Sequence, residues 1–295
     1  MLRSPVGKHI SLPVPAGIAT KGNTWYVSNR SGDGGSNGNH GASPDKPWST
    51  LAYAETRVAV GDTVVVLPGH NETIATALSW DTANTSIVGL KAGNLRPIIT
   101  PNGAIDAITL AAAGILIQGI EFAIPGTDAQ TADINVTGAD CAIVDTLHHG
   151  STTAKNKTDI VTVAATAHDL LISGMKAYND TVDCVSAISL EGVAARVIVE
   201  NCFLTGQYST AVIMDEAAAV MALIRNNIFH NTKAATAVAN FTNDSTGVCS
   251  QNFMAGRHTT IASNVVPGTG MNFHENYVVE EAALNGLYIP AQDAD

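Results

Sequence analysis

The sequence is poor in charge and in aromatic rings. Of 295 residues only 14% are charged and 5% are Phe, Trp or Tyr, while 45% are hydrophobic. The apolar content is therefore mostly Ala, Val, Ile and Leu, side chains suited to stacked, fully buried strands. Uninterrupted apolar runs of membrane-spanning length are missing. The richest window, residues 107–124, is broken by Thr109, Gly114, Gln118, Gly119 and Glu121, which excludes a transmembrane helix. Basic residues are scarce, 15 Lys and Arg against 26 Asp and Glu, for a formal charge of −11. That excludes a nucleic-acid partner, which needs clustered cations to displace counterions. No C-x-x-C pair occurs among Cys141, Cys184, Cys202 and Cys249, so buried free thiols are expected rather than structural zinc. Neither a metal nor a cofactor is expected. The opening "MLRSPVGKHISLPVPAGIA" has no apolar signal core, so the chain is expected to be made in the cytoplasm and not secreted.

What is present is a repeat. The segments "ILIQGIEF", "LLISGMKA", "VIVENCFL", "ALIRNNIF", "VCSQNFMA" and "MNFHENYV" each join an apolar strand to Gly or Asn and a further apolar residue. Anchored on Gly89, Gly119, Asp145, Gly174, Cys202, Asn227, Asn252 and Asn276, the steps are 30, 26, 29, 28, 25, 25 and 24. A second series interleaves, marked by Ile108, Ile134, Ile160, Ile188, Ile213, Val238, Ile261 and Leu287. Two short strands per repeat, with period-two alternation as in "DINV" and "AISL", do not suit helical repeats of similar length.

Such a unit cannot bury its apolar face alone, but stacking on its neighbours can. Successive strands then pair in parallel and equivalent side chains form columns. Phe203, Phe229, Phe253 and Tyr277 are expected to make one aromatic column. Asn201, Asn226, Asn227, Asn252 and Asn276 are expected at a turn, as an amide ladder or as ordinary turn asparagines.

The first coil of a solenoid leaves an open apolar end that needs a cap. "PWSTLAYAETRVA" can supply a helix with Trp48, Leu51, Ala52 and Val58 on its buried face and Asp45 before Pro47 as a start signal. In "VGDTVVVLPGHNETI", Asp62, His70 and Glu72 have the residue types of a hydrolase site. Gly61-Asp62 and Pro68-Gly69 read more simply as turns around the strand "TVVVL", so the trio is expected to be scaffold.

The whole chain from about Trp25 resembles right-handed parallel β-helices of the pectate-lyase-like class, most tellingly in its entry, residues 24–74. It shares a first strand, a Gly/Asn/Ser-rich loop, a Pro-bounded helix, and a Gly-Asp turn into a valine strand. The resemblance implies an all-β, right-handed parallel β-helix with a short N-terminal capping helix and an extended N-terminal arm. The expected organisation is an arm over residues 1–24 and one β-helix domain over 25–295, with the cap at about 25–70 and repeating rungs at about 71–290. Members of the class include lyases and glycosidases, but the polygalacturonase-like runs D-D, G-H-G and R-x-K are absent. The remaining catalytic candidates are Asp183, Asp215 and Glu216, of which Asp183 and Asp215, one repeat apart, can face the same groove; the expected reading of the cluster is a solvated turn. His148-His149 cannot readily serve one ion, because neighbours in a strand point to opposite faces. The expectation is a chain that is not an enzyme.

A narrower resemblance is to a set of tailed-bacteriophage virion proteins. It rests on Pro15 to Ala19, Tyr26-Val27, Pro47 to Ala54, Gly61 to Glu72, Ile87 to Leu90, Arg96 to Thr100 and Gly286 to Ala294. It implies a head decoration or minor capsid protein on the virion surface, bound to the major capsid protein of the shell. The lightly charged rung surface, as in "AAAGI" and "DEAAAVM", adds an expectation of self-association as a homotrimer. The rival is a tailspike-like protein that binds or degrades host glycans, for which Trp80, Tyr178 and Tyr208 are the available sugar platforms.

Overall fold

Three parallel sheets carry the chain, and each turn of the coil adds one strand to each of them. The computed structural model describes residues 22–126, 129–152, 155–258 and 260–280. Among the described residues sheet A has ten strands, from Thr24–Val27 to Gly270–His274. Sheet B has nine, from Asn71–Ile74 to Tyr277–Glu280, and sheet C eight, from Leu78–Trp80 to Val265–Val266. This is the expected parallel β-helix, and it is right-handed, as crossovers between parallel strands of one sheet are.

Columns of apolar side chains fill the coil. In sheet A, Val64, Ile87, Ile117, Ile143, Ile172, Val199, Ile224 and Cys249 stack in register, all buried. In sheet C the column is Ile108, Ile134, Val161, Ile188 and Ile213. Each fully buried aliphatic side chain contributes about 1.5–3 kcal/mol, so the stack of turns rather than any single turn holds the fold. All four cysteines are free and buried.

The aromatic column is not the expected one. Phe203, Ile228, Phe253 and Tyr277 are in register on sheet B, whereas Phe229 pairs with Leu204 and Met254 in the adjacent, buried column. Phe229 is one residue further along its strand than Phe203 is along its own, and in a strand one residue is the difference between inside and outside.

Between sheets A and B the chain turns on a single left-handed residue, in successive coils Gly119, Asp145, Gly174, Asn201, Asn226, Gln251 and Glu275, with φ between 49° and 72°. The next residue points inward. Where that residue is Asn the expected ladder forms. Asn227 Nδ2 donates to Asn252 Oδ1 (2.9 Å), and Asn252 Nδ2 donates to Asn276 Oδ1 (3.0 Å). Each amide also donates to a strand carbonyl, of Val199, Ile224 and Cys249 respectively. Asn201 and Asn226 are turn residues, not rungs of the ladder. Their short polar side chains tolerate the left-handed backbone.

The capping helix is Leu51–Glu55, with Leu51 and Ala54 buried against the first coil. Its N-cap is Thr50, whose hydroxyl accepts from Tyr53 N (3.1 Å). Asp45 does not serve, because the chain first turns at Ser43–Lys46. Ala52 faces solvent. Trp48 closes the end by stacking on Trp25 at 4.8 Å.

Candidate functional site

Asp62, His70 and Glu72 are structural. Asp62 accepts from Asn23 N (2.6 Å), Trp25 Nε1 (2.7 Å) and Ala59 N (2.9 Å), tying the first strand to the turn. His70 Nδ1 accepts from Asn29 N (3.1 Å), so its proton sits on Nε2 and is donated to Glu72 Oε2 (3.0 Å). The same Glu72 oxygen accepts from Leu51 N (2.7 Å), an N–H of the first helical turn that has no partner within the helix.

The other candidates also separate. His148 faces the interior, while His149 lies outside with Nε2 3.1 Å from Glu121 Oε1. Asp215 is buried and accepts from Asn243 N (3.1 Å), Ser245 N (3.3 Å) and Ser245 Oγ (2.7 Å). It therefore organises the next turn and shares no outward face with the exposed Glu216. Asp183 belongs to the strand Lys176–Cys184 of sheet B, and its side chain lies outside the described residues. Trp80 and Tyr208 are fully buried, which removes them as sugar platforms, while Tyr178 is exposed.

A different set of acids shares one face, the outside of sheet C. In several coils the strand turns a corner with two successive residues inward, as at Ala107–Ile108, Ile160–Val161, Ala187–Ile188 and Val212–Ile213. Val212 O accepts from both Ala187 N (3.0 Å) and Ile188 N (3.1 Å), the shared bond of a bulged strand. The residues before and after each corner point out. Asp106 and Asp159 occupy the position before it, two coils apart, about 10 Å between Cα atoms at the usual strand spacing. Asn135, Thr162, Ser189 and Met214 occupy the position after it. A small separate apolar cluster, Ala211, Met214 and Ala237, lies on the same outside.

Hydrogen bonds cross this face. Asn135 Nδ2 donates to Asp106 Oδ2 (2.8 Å), and Ser186 Oγ donates to Asp159 Oδ1 (2.7 Å). Burial pushes the Asp159 carboxyl up to about 7, and the charges of Glu191 and Glu216 add to the effect. Glu191 is raised as well, by partial burial and by Glu216 and Asp106. Asp106 Oδ1, Asn135 Oδ1 and Ser189 Oγ are buried without a partner among the described residues. Buried polar atoms are usually bonded to protein or to ordered water. Asp159, only 3% exposed, is thus a carboxyl whose proton is retained toward neutrality chiefly because it is buried.

Sheet B presents the opposite chemistry. Its outward column runs Lys176, Phe203, Ile228, Phe253, Tyr277 over consecutive coils. Ile228, Phe253 and Tyr277 are 43%, 42% and 50% exposed, and Tyr178 beside Phe203 is 41% exposed.

No protein-family model matches the sequence, and no curated protein matches it. Solved structures do resemble the fold. Pectate lyase Pel9A aligns with a TM-score of 0.56 at 13% identity, over 95% of this chain and 80% of its own. The GH136 lacto-N-biosidase from Eubacterium ramulus aligns with a TM-score of 0.60 at 10% identity, over 87% of this chain and 56% of its own. More loosely, at a TM-score of 0.40 and 13% identity, the tailspike protein of an Acinetobacter phage aligns over 75% of this chain and 53% of its own. The chain spans little more than half the length of the biosidase and the tailspike. At these identities the likeness is one of fold, a pectate-lyase-like β-helix. It corrects the expectation that the chain is not an enzyme, because a lyase and a glycosidase are among its structural neighbours. The missing D-D, G-H-G and R-x-K runs exclude one catalytic arrangement.

Proposed function

We propose that the chain is a structural component of a tailed-bacteriophage particle, decorating the head through contacts with the major capsid protein and with further copies of itself. The observation that carries this reading is the stripe Phe203, Ile228, Phe253 and Tyr277 on sheet B. Three consecutive coils expose large apolar side chains in one line, continued by the half-buried Phe203, and contiguous patches of this kind mark interaction surfaces. The virion-protein motifs of the sequence support the same reading, with residues 1–24 as a second point of attachment. Imaging particles with a gold-tagged antibody against the chain tests it. Label over the head agrees with decoration, and label confined to the tail tip contradicts it. Deleting residues 1–22 should reduce particle binding while leaving the melting temperature unchanged.

A second reading has its own observation, the outward carboxylates of sheet C with their unpartnered polar neighbours. That face suits recognition, and with Asp159 as proton donor also cleavage, of a host glycan. Asp159→Asn and Asp106→Asn should each lower glycan cleavage by at least tenfold without unfolding the chain. An unchanged rate in both would remove this reading.

A further inference from the structure

Inside the coil, between sheets B and C, lies a fully buried group of polar side chains: Asp133, Lys157, His148, Gln130 and Thr146. Lys157 Nζ is 2.7 Å from Asp133 Oδ1 and 2.8 Å from Oδ2. Gln130 Nε2 donates to Asp133 Oδ1 (3.0 Å), and His148 Nδ1 lies 2.9 Å from Oδ2. Thr146 Oγ1 is 2.9 Å from His148 Nε2, and the imidazole lies flat on the Phe122 ring with centroids 4.9 Å apart. Backbone pairing of Gln130 with Lys157 holds the two segments side by side in adjacent coils.

We propose that Lys157 and Asp133 form an intramolecular isopeptide bond. A buried ion pair here is isolated from solvent, and its desolvation cost disappears if the two charges are replaced by one neutral amide. The reacting groups are already in contact and cannot diffuse apart, the condition under which intramolecular reactions reach very high effective concentrations. The step balances without any co-reactant. A proton passes from the Lys157 ammonium to the Asp133 carboxylate. Rotation about the Asp133 Cβ–Cγ bond brings the face of the carboxyl group to Nζ. The amine lone pair attacks Cγ, the C–N bond forms, and the C–Oδ2 bond breaks. Oδ2 leaves as water, taking up a proton with the help of His148, while Oδ1 remains as the amide oxygen held by Gln130. The two donors on the carboxyl oxygens stabilise the charge that develops during attack. Gln130 Oε1 is buried and has no partner among the described residues, so the cluster retains an acceptor for the new amide N–H or for the released water.

The test is the mass of the full chain, purified, denatured and measured intact, followed by tryptic mapping. The bond predicts a mass lower by one water molecule and a branched peptide joining the segments around Asp133 and Lys157, uncut at Lys157. The variant Lys157→Arg keeps a cation but cannot form the amide, and it should show the full sequence mass. His148→Gln should accumulate the linked form at least tenfold more slowly than the unmodified chain. A folded, aged sample with the full sequence mass and cleavage at Lys157 overturns the proposal. So does a water loss that persists in Lys157→Arg.

Discussion

The outer faces of sheets B and C are built by the same stacking rule and end with opposite chemistry. On sheet B the column is mixed in the early coils, Asn71, Ile98, Glu121, Leu147 and Lys176, and becomes Phe203, Ile228, Phe253 and Tyr277 in the later ones. On sheet C the outward positions carry Asp106, Asn135, Asp159, Thr162 and Ser189. The inward columns of both sheets remain apolar over most of their length. In a solenoid the interior is constrained by neighbours above and below, so variation in chemistry goes outward. The lesson is that each face can be changed without touching the core, and this separation can be tested.

The largest expected effect is in the core. Phe229→Ala removes a fully buried ring and should cost about 3–5 kcal/mol in urea unfolding. Its neighbour Ile228→Ala, on the outward face of the same strand, should cost under about 1 kcal/mol. Similar costs for the two would contradict the assignment of faces. Next comes the ladder. Asn252→Ala leaves the buried Asn227 N–H groups without their shared acceptor and should cost about 1–3 kcal/mol.

The third effect depends on pH. The folded Asp159 holds its proton up to about 7, against an ordinary value of 3.8. The folded state therefore binds that proton more tightly than the unfolded chain, and this contribution to stability falls as pH rises from about 4 to 7. Asp159→Asn should flatten the fall in melting temperature over this range, and an unchanged slope would place its origin elsewhere. The smallest effect is electrostatic. Glu216→Gln removes one of the charges that raise Asp159 and should shift its titration, followed by carboxyl NMR, to lower pH.

Much of the fold was legible in the sequence because its signals repeat. The Gly or Asn at each sheet A to sheet B turn, the ladder residues Asn227, Asn252 and Asn276, and the turns around Asp62 and Pro68 all have local physical causes. The faces were harder to read, because the loops joining sheet B to sheet C differ in length from coil to coil. Aligning Ile160 with Ile134 is wrong by one, since the register pairs Ile134 with Val161. That one-residue slip hides Asp159 from the column of Asp106, and a similar slip places Phe229 beside Phe203. Aligning the outward residues together with the inward ones would have exposed both. The Asp133, Lys157 and His148 group was not legible at all. It joins residues from three segments whose meeting depends on the register of two sheets, and no local pattern marks it.

The most direct test of the central claim is cosedimentation of the full chain, and of a Phe253→Lys, Tyr277→Lys double variant, with shells assembled from the major capsid protein. Because both side chains are outward, the variant should melt with the unmodified chain. The account predicts that the unmodified chain pellets with the shells and that the folded variant stays in the supernatant. Equal binding by the two would show that the sheet B stripe is not the attachment face.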